Sequence, residues 1–257
     1  MTSRSRVFPG NRQPRVTIPV RNHAPSIAPP RHGHGRKRFP RPDPANYPLI
    51  MKGEGYVPGL PVDWTTGKTI CFLTRCHPQR PNMQQVCFDS VKNQTCDDYQ
   101  HFLIQGAMRE ADEHSRGDGK YAVEHGLTKP WPIEGHYVMV LDDDNMLVDA
   151  DFIKDFKELV ERENPDIVFF KAEIKGWGIY PTWAQRPVAG EIDWFCFAVK
   201  RELWVKYIAE VNARAVGSND FSLIDKCYRS TKAVIWFNRL VAKTQRAPGR
   251  SRPETAF

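Results

Sequence analysis

Three consecutive aspartates, Asp142–Asp144, follow the apolar run Tyr137–Leu141. Carboxylates held this close repel one another, and the pKa of at least one rises unless a cation neutralises the group. Mg²⁺ and Mn²⁺ prefer oxygen ligands and commonly bridge one or two carboxylates to substrate phosphates. The apolar run is typical of a buried strand, and open α/β sheets bind ligands beyond the carboxyl ends of their strands. The pattern therefore predicts a metal and phosphate site, although an acidic triplet without such a strand more often indicates a solvated turn.

Spacing distinguishes the three aspartates from one another. In an extended segment residues i and i+2 lie on one side, so Asp142 and Asp144 are expected to face the site together. Asp144 is the first candidate for a direct metal ligand. Asp142 is the second, and its alternatives are contact with the ribose of a nucleotide or with the metal through water. Asp143 either points into the protein or replaces one of them as a ligand.

The elements that would position these residues alternate along the chain. Short β-rich apolar runs predict strands, and apolar residues at helical spacing predict helices. The predicted strands are Thr69–Thr74, His101–Ile104, Tyr137–Leu141, Ile167–Phe170, Ile192–Val199 and Val234–Phe237, and the predicted helices are Asn82–Asn93, Ala107–His114, Asp151–Glu163, Arg201–Asn212 and Phe221–Tyr228. This alternation predicts an α/β fold, with a mostly parallel central sheet and helices on both faces.

The positive charge of the chain is concentrated before the predicted fold. Residues 1–60 carry eleven Lys or Arg and two Asp or Glu, whereas the remainder has a net charge of −2. This Pro- and Arg-rich segment has few large apolar side chains, so we expect a disordered basic tail over residues 1–60. Its basic knot at His32–Arg38 suggests weak contact with nucleic acid or an anionic surface, although a flexible solubilising leader is the commoner case. The folded domain is predicted over residues 61–246, and 247–257 is a polar C-terminal tail.

The spacing of the cysteines and the lack of long apolar runs indicate the cellular compartment to expect. The six cysteines form no C-x-x-C pair and no zinc spacing, so reduced thiols are expected. No apolar run approaches the roughly 20 residues of a membrane span. The N-terminus has no apolar signal segment, and a cytoplasmic location is expected.

The order of these features resembles the family 2 glycosyltransferases, which have the GT-A fold. Thr69–Arg80 followed by Val86–Thr95 is similar to the opening strand and helix of the family, and Leu141–Asn145 to its D-x-D metal motif. Gly190–Cys196 with Arg201–Leu203 is similar to the acceptor-side strand and the next helix. Gly217–Phe221 is similar to the segment that carries the catalytic carboxylate. The resemblance spans residues 67–246, and it departs at Ile104–Ala107, where the family usually has paired aspartates.

The resemblance implies an inverting transfer of a sugar from a nucleoside-diphosphate sugar to an acceptor hydroxyl, with Mn²⁺ or Mg²⁺ as cofactor. Asp220 would be the catalytic base, although on position alone it also fits a helix cap. The implied donor contacts are Thr74, Arg75, Arg80, Gln105, Asp142 and Asp143. The implied acceptor or sugar contacts are Trp177, Asp193 and Trp194. The acceptor itself, whether glycan, protein or lipid, is not specified by the sequence.

Two other functions are compatible with parts of this pattern. A nucleotidyltransferase uses a related sheet, but Thr74–Pro78 contains none of the glycines of a phosphate-binding loop. A degenerate GT-A domain could instead bind a nucleotide or glycan without turnover, tethered to nucleic acid or a particle by the basic tail. The altered strand end at Gln105 favours that alternative, whereas Asp142, Asp144 and Asp220 together favour an enzyme.

Overall fold

A computed structural model describes residues 48–105, 127, 130–182, 186–213 and 219–245. The predicted helix at 107–114, the predicted tail before residue 48 and the C-terminal tail at 247–257 lie outside these residues. The strands are β1 (Ile50–Lys52), β2 (Lys68–Cys76), β3 (Tyr99–Gln105), β4 (Gly135–Val140), β5 (Asn145–Leu147), β6 (Ile167–Ile174), β7 (Gly178–Tyr180), β8 (Phe197–Lys200) and β9 (Val234–Thr244). The helices are α1 (Pro81–Lys92), α2 (Phe152–Glu163), α3 (Arg201–Ala213) and α4 (Asn219–Ser230), and a 3₁₀ helix spans Trp194–Cys196.

The described strands form one mixed sheet in the order β1-β9-β6-β8-β4-β2-β3, with β5 paired to β9 and β7 to β6. Strand β2 is parallel to β3 and β4, and β6 is parallel to β9. Strand β8 is antiparallel to both β4 and β6, so those two strands run in the same direction. The predicted, mostly parallel central sheet is confirmed, with β8 inserted as an antiparallel strand between its two parallel groups.

Side-chain alternation along the strands builds a core on each face of the sheet. In β2, Ile70 and Phe72 join the core that includes residues of α1 and α2. Cys71 and Leu73 join the opposite core, which includes residues of α3 and α4. Helices therefore cover both faces, as predicted, and residues 74 and 75 continue this alternation at the end of β2.

The first glycine of β4 allows β2 and β4 to approach closely. A Cβ atom at Gly135 would lie 2.5 Å from the Cys71 backbone nitrogen and 2.8 Å from the Cys71 Cβ. A strand glycine often marks such a close backbone approach. Gly135 thus fixes the spacing of the strand that leads into the acidic triplet.

The folded body begins earlier than residue 61, so the predicted boundary of the tail is wrong for the residues that the structure describes. Ile50–Lys52 pairs with β9. The Tyr56 hydroxyl donates to the Glu163 carbonyl at 2.5 Å, and the Gly59 N–H donates to the Asn164 carbonyl at 2.8 Å. The apolar triplet Leu49–Met51, between Pro48 and Gly53, was too short to indicate a strand.

The prediction of a strand over Ile192–Val199 is wrong in its first half. Asp193 is the N-cap of the 3₁₀ helix, and its Oδ1 accepts the Trp194 N–H at 2.7 Å. This local bond competes with strand pairing, so β8 begins only at Phe197. The other predicted strands are present but longer, and Cys71, Cys76, Cys87, Cys196 and Cys227 are buried free thiols. No helix among the described residues is long and apolar enough to span a membrane.

Candidate active site

The acidic triplet forms a tight loop between β4 and β5, beside the end of β2. The Leu141 N–H donates to the Leu73 carbonyl at 3.1 Å, and the Asp143 N–H donates to the Arg75 carbonyl at 3.3 Å. The Asn145 N–H closes the turn on the Asp142 carbonyl at 2.9 Å. The triplet therefore lies at the carboxyl edge of the parallel strands, where the sequence predicted a ligand site.

Arg75 forms a bidentate ion pair with Asp142. Its Nε lies 2.6 Å from Asp142 Oδ1 and its Nη2 lies 2.5 Å from Oδ2. The two side chains are 7% and 13% exposed. Arg75 also lies over the Trp194 ring, with Cζ 5.8 Å from the ring centroid. Burial opposes the charge of Arg75, but Asp142, Asp193 and Asp144 hold its pKa above the usual value. In this arrangement Arg75 holds Asp142, which differs from its predicted role as a direct donor contact.

Asp143 points into the protein, the first of the two alternatives considered for it. It is fully buried, and its Oδ2 accepts the His77 N–H at 2.5 Å. Its Oδ1 accepts from Arg80 Nη1 at 3.3 Å, and the Arg80 side chain is only 2% exposed. Burial raises the pKa of Asp143 to about 7, although the His77 N–H and Arg80 act against this rise. The structure thus places Asp143 and Arg80 in the support of the loop, not on a surface that a donor could contact.

Asp144 is the most exposed carboxylate of the triplet. Its side chain is 21% exposed, and Oδ2 lies 3.7 Å from Arg80 Nη1. Its carbonyl accepts the Gln245 N–H at 2.7 Å. Asp144 is therefore held by its backbone while its carboxylate is accessible.

The acceptor side of the predicted site lies on the face covered by α3 and α4. Trp194 is 5% exposed and belongs to the core of that face. Asp193 precedes it, and burial raises the Asp193 pKa to about 8, with further contributions from the negative charges of Asp220, Asp142 and Asp144. Asp220 lies in the first turn of α4, and its Oδ1 accepts the Phe221 N–H at 2.7 Å. Asp193 thus lies within electrostatic reach of Asp142, Asp144 and Asp220, and the positive charge of Arg75 interacts with Asp142, Asp144 and Asp193.

Three other predicted contacts have no observed contact with the acidic loop among the described residues. Thr74 is 2% exposed, and its hydroxyl lies 2.8 Å from His101 Nε2, on the α1 side of the sheet. The prediction of Thr74 as a donor contact is not supported, because alternation sends its side chain to the opposite face from Arg75. Gln105 is exposed at the end of β3, in register with Cys76. Trp177 is 55% exposed in the turn between β6 and β7.

The side chains of the acidic loop can be compared with the oxygen ligands that a divalent cation requires. Among the described residues, no three His, Cys, Asp or Glu side chains converge closely enough to hold an ion by themselves. Mg²⁺ sites in phosphate-transferring enzymes typically use one or two carboxylates and complete their coordination with water and substrate phosphates. Asp144, together with the lone pairs of Asp142 that Arg75 does not use, fits a cation shared with a diphosphate and does not fit an all-protein cage.

Sequence reasoning missed two residues that hold the loop. Gln245 donates from Nε2 to the Met83, Asp143 and Asn145 carbonyls at 3.0, 3.1 and 3.3 Å. His77 supplies the backbone N–H that binds Asp143. No motif marks either residue, because Gln245 stands about 100 positions from the loop and the His77 contact uses backbone atoms.

No protein-family model and no curated protein matches the chain. Among solved structures, the 1–349 fragment of S. aureus TarS is similar at 9% identity with a TM-score of 0.50, over 68% of this chain and 60% of that chain. The same fragment in complex with UDP-GlcNAc is similar at 10% identity with a TM-score of 0.50, over 74% of this chain and 62% of that chain. This chain therefore spans less than two thirds of the TarS fragment. At this identity the similarity concerns the fold.

The sheet and this comparison define a GT-A-like fold. The fold resemblance given by the ordered sequence motifs is confirmed. The activity is a separate question, which depends on the acidic loop and its neighbours.

Proposed function

We propose that the chain is a metal-dependent glycosyltransferase that moves a sugar from a nucleoside-diphosphate sugar to an acceptor hydroxyl, with inversion at the anomeric carbon. The observation that carries this proposal is the partly exposed Asp144 carboxylate at the carboxyl edge of the sheet. It lies within electrostatic reach of Asp193, which is also within reach of Asp220. The GT-A-like fold supports it. Because the similar TarS fragment has been solved in complex with UDP-GlcNAc, a UDP-sugar is the first donor to test.

Asp144 would hold a Mn²⁺ or Mg²⁺ ion, with the outer lone pairs of Asp142 as the second protein contribution. Such an ion would supply Lewis-acid neutralisation of the leaving diphosphate. The bidentate bond from Arg75 fixes the Asp142 carboxylate, so that the lone pair left on each of its two oxygens has a set direction. The chain's contribution at this step is a pre-formed arrangement of charge.

Asp220 would accept the proton of the acceptor hydroxyl as that oxygen attacks the sugar. One Asp220 oxygen accepts the Phe221 N–H, which orients the carboxylate at the start of α4. General-base help of this kind contributes roughly 10²–10⁴-fold to a rate. The buried Trp194 ring lies against the Arg75 guanidinium, with Arg75 Cζ 5.8 Å from the ring centroid.

Release of nucleoside diphosphate from a panel of nucleotide sugars tests the proposal. Samples would contain Mn²⁺ or a chelator, with an acceptor mixture, and would compare the wild type with Asp144→Asn. Asp97→Asn is the matched control, because Asp97 is exposed just before β3, at the opposite end of the sheet from the acidic loop. The proposal predicts release from one donor class that is lost with chelator and in Asp144→Asn but kept in Asp97→Asn.

Absence of release in a folded sample, with every donor and acceptor, would contradict transfer. Thermal melting with Mn²⁺ and UDP then tests the remaining alternative, a domain that binds a nucleotide without turnover. A higher melting temperature with these ligands would support it. A ligand that binds only the native state stabilises it by about 2.7 kcal/mol at a hundredfold excess over Kd.

A further inference from the structure

Gln245 lies directly after β9, and its side-chain amide reaches into the acidic loop. The Nε2 atom is 3.0 Å from the Met83 carbonyl, 3.1 Å from the Asp143 carbonyl and 3.3 Å from the Asn145 carbonyl. An amide nitrogen carries two hydrogens, so at least one of them is shared between carbonyls. These distances describe a clamp centred on one side chain.

The clamp joins three segments that are distant in sequence. Met83 belongs to the first turn of α1, Asp143 and Asn145 flank Asp144, and Gln245 continues the longest strand of the sheet. The Gln245 N–H also binds the Asp144 carbonyl at 2.7 Å. Three consecutive carbonyls of the loop are therefore bound to one residue, and this fixes the peptide planes on both sides of the Asp144 Cα.

The orientation of these peptide planes sets the direction of the Asp144 Cα–Cβ bond, and therefore the region that its carboxylate can reach. Arg75 holds the side chain of Asp142, and the His77 N–H and Arg80 hold that of Asp143. Arg80 Nη1 also lies 3.7 Å from Asp144 Oδ2. Gln245 instead holds the backbone on either side of Asp144. Without these bonds, Asp144 and its backbone would lose conformational entropy when a ligand bound, and this loss would weaken binding. Because the bonds order the backbone beforehand, part of that entropy cost is removed.

We propose that Gln245 is a positioning residue that sets the affinity of the acidic loop for a divalent cation and diphosphate. This inference rests on the proposed function, because it assumes that Asp144 is the residue that binds the ion. Residues behind a metal ligand that orient it typically change metal affinity 10- to 100-fold when replaced. Gln245 would belong to that group even though it contacts only backbone atoms of the loop.

The test uses Gln245→Met, which keeps an unbranched side chain of similar length and removes the donor. The chain offers a matched control in Gln94, whose Nε2 donates to the Asp149 carbonyl at 2.7 Å and to the Ser90 carbonyl at 3.3 Å, and which ties the end of α1 to the start of α2. Gln94→Met removes a similar bond away from the acidic loop. Both variants are compared with the wild type in calorimetric titrations of MnCl₂ in the presence of UDP and in thermal melts.

A second measurement does not depend on metal binding. Amide hydrogen exchange is followed in chelator for residues 141–145, where the clamp should protect the loop. We expect Gln245→Met to raise the Mn²⁺ Kd by about tenfold or more, and to speed exchange in the loop. Gln94→Met should lower the melting temperature by a similar amount and leave both readouts unchanged.

Unchanged Kd and unchanged exchange in Gln245→Met would overturn the inference, as would an equal rise of Kd in Gln94→Met. A wild type that binds no Mn²⁺, with or without UDP, would overturn the metal assignment in the proposed function and the affinity role of Gln245 with it. In that case, faster exchange of the loop amides in Gln245→Met alone would still establish that Gln245 holds the loop. Unchanged exchange would overturn this structural role as well.

Discussion

Arg75 and Asp142 form a bidentate, largely buried ion pair between the end of β2 and the acidic loop, with Nε–Oδ1 and Nη2–Oδ2 distances of 2.6 and 2.5 Å. Breaking such a pair by removing one partner leaves a charge in a poorly hydrated place, at a cost of roughly 3–5 kcal/mol. Arg75 also lies over the Trp194 ring and interacts with the charge of Asp193, so the pair links the acidic loop to the segment just before β8.

Arg75→Met is expected to lower the free energy of unfolding by roughly 3 kcal/mol, because Asp142 then lacks its partner. Arg75→Lys should recover only part of this loss, since an ammonium group cannot form the two parallel bonds of a guanidinium. Urea unfolding at neutral pH measures both variants. A wild-type stability in Arg75→Met would show that the pair does not hold the loop.

Asp220→Asn is expected to reduce sugar transfer by roughly 10²–10⁴-fold, since an amide cannot take the proton of the acceptor hydroxyl. Binding of the donor should be retained, because Asp220 lies on α4 and not in the acidic loop. Steady-state kinetics and donor titration measure the two effects. Full transfer in this variant would exclude Asp220 as the base.

Asp193→Asn is expected to behave differently from Asp220→Asn. The Asp193 pKa is raised to about 8, first by burial, so its carboxyl is protonated at pH 7 and an uncharged amide resembles it. Asn Oδ1 can still accept the Trp194 N–H. Activity at pH 7 should therefore stay within about tenfold of the wild type, with a loss above pH 8 that occurs only in the wild type.

The sign of the corresponding stability effect follows from the same pKa. Between its ordinary value of 3.8 and about 8, the folded state keeps the Asp193 proton that the unfolded state has lost. The wild type should therefore lose stability relative to Asp193→Asn as pH rises through this range. Urea unfolding at several pH values checks this, and a constant difference between the two proteins would argue against a buried neutral carboxyl.

His101 should make the opposite contribution to stability against pH. Burial lowers its pKa to about 4, so below pH 6.5 the unfolded state binds a proton that the folded state does not. His101→Gln should therefore gain on the wild type, by roughly 1–3 kcal/mol, as pH falls from 7 to 4.5. Chemical unfolding at both pH values measures the difference, and an equal effect of the substitution at both would contradict it.

Gly135→Ala is expected to destabilise the protein by roughly 1–3 kcal/mol, because the added methyl meets the Cys71 backbone at 2.5 Å and no flexible side chain can move aside. Gly53→Ala is the control, since a Cβ there would meet Val234 atoms at 3.4 and 3.5 Å, which is ordinary contact. Thermal unfolding of the two variants should differ clearly. Equal melting temperatures would mean that β2 and β4 can separate at little cost.

The sequence was sufficient for the fold and for the position of the acidic loop. Apolar runs predict strands and helices, and the polar segments between them predict loops, because both depend on local physical preferences. The acidic loop could be located because a clear strand precedes it. Asp193 shows where local patterns compete, since its bond to the Trp194 N–H turned a predicted strand into a 3₁₀ helix. Strand β1 could not be predicted, because a strand of three residues is too short to show an alternation of apolar and polar side chains.

The partners of the site residues could not be predicted from the same patterns. Arg75 stands 67 positions from Asp142 and was expected to contact phosphate, a role that any arginine at a strand end can be assigned. Which of Thr74 and Arg75 faces the acidic cluster depends on the register of β2, and a shift of one residue would exchange them. Contacts to backbone carbonyls, such as those of Gln245, leave no pattern in the sequence.

Strand β8 has a mechanical consequence for the sheet. It joins the β3-β2-β4 group to the β6-β9 group through four residues, with Tyr137 and Val138 as its registered partners on β4. Because this ladder is so short, the β4–β8 pairing is the weakest connection between the two parallel groups. Asp193 and Trp194 lie in the chain just before strand β8. Opening of the β4–β8 pairing would separate the segment that carries Trp194 from the strand that carries Arg75. The rate of this opening is therefore expected to set how fast a ligand can enter between them.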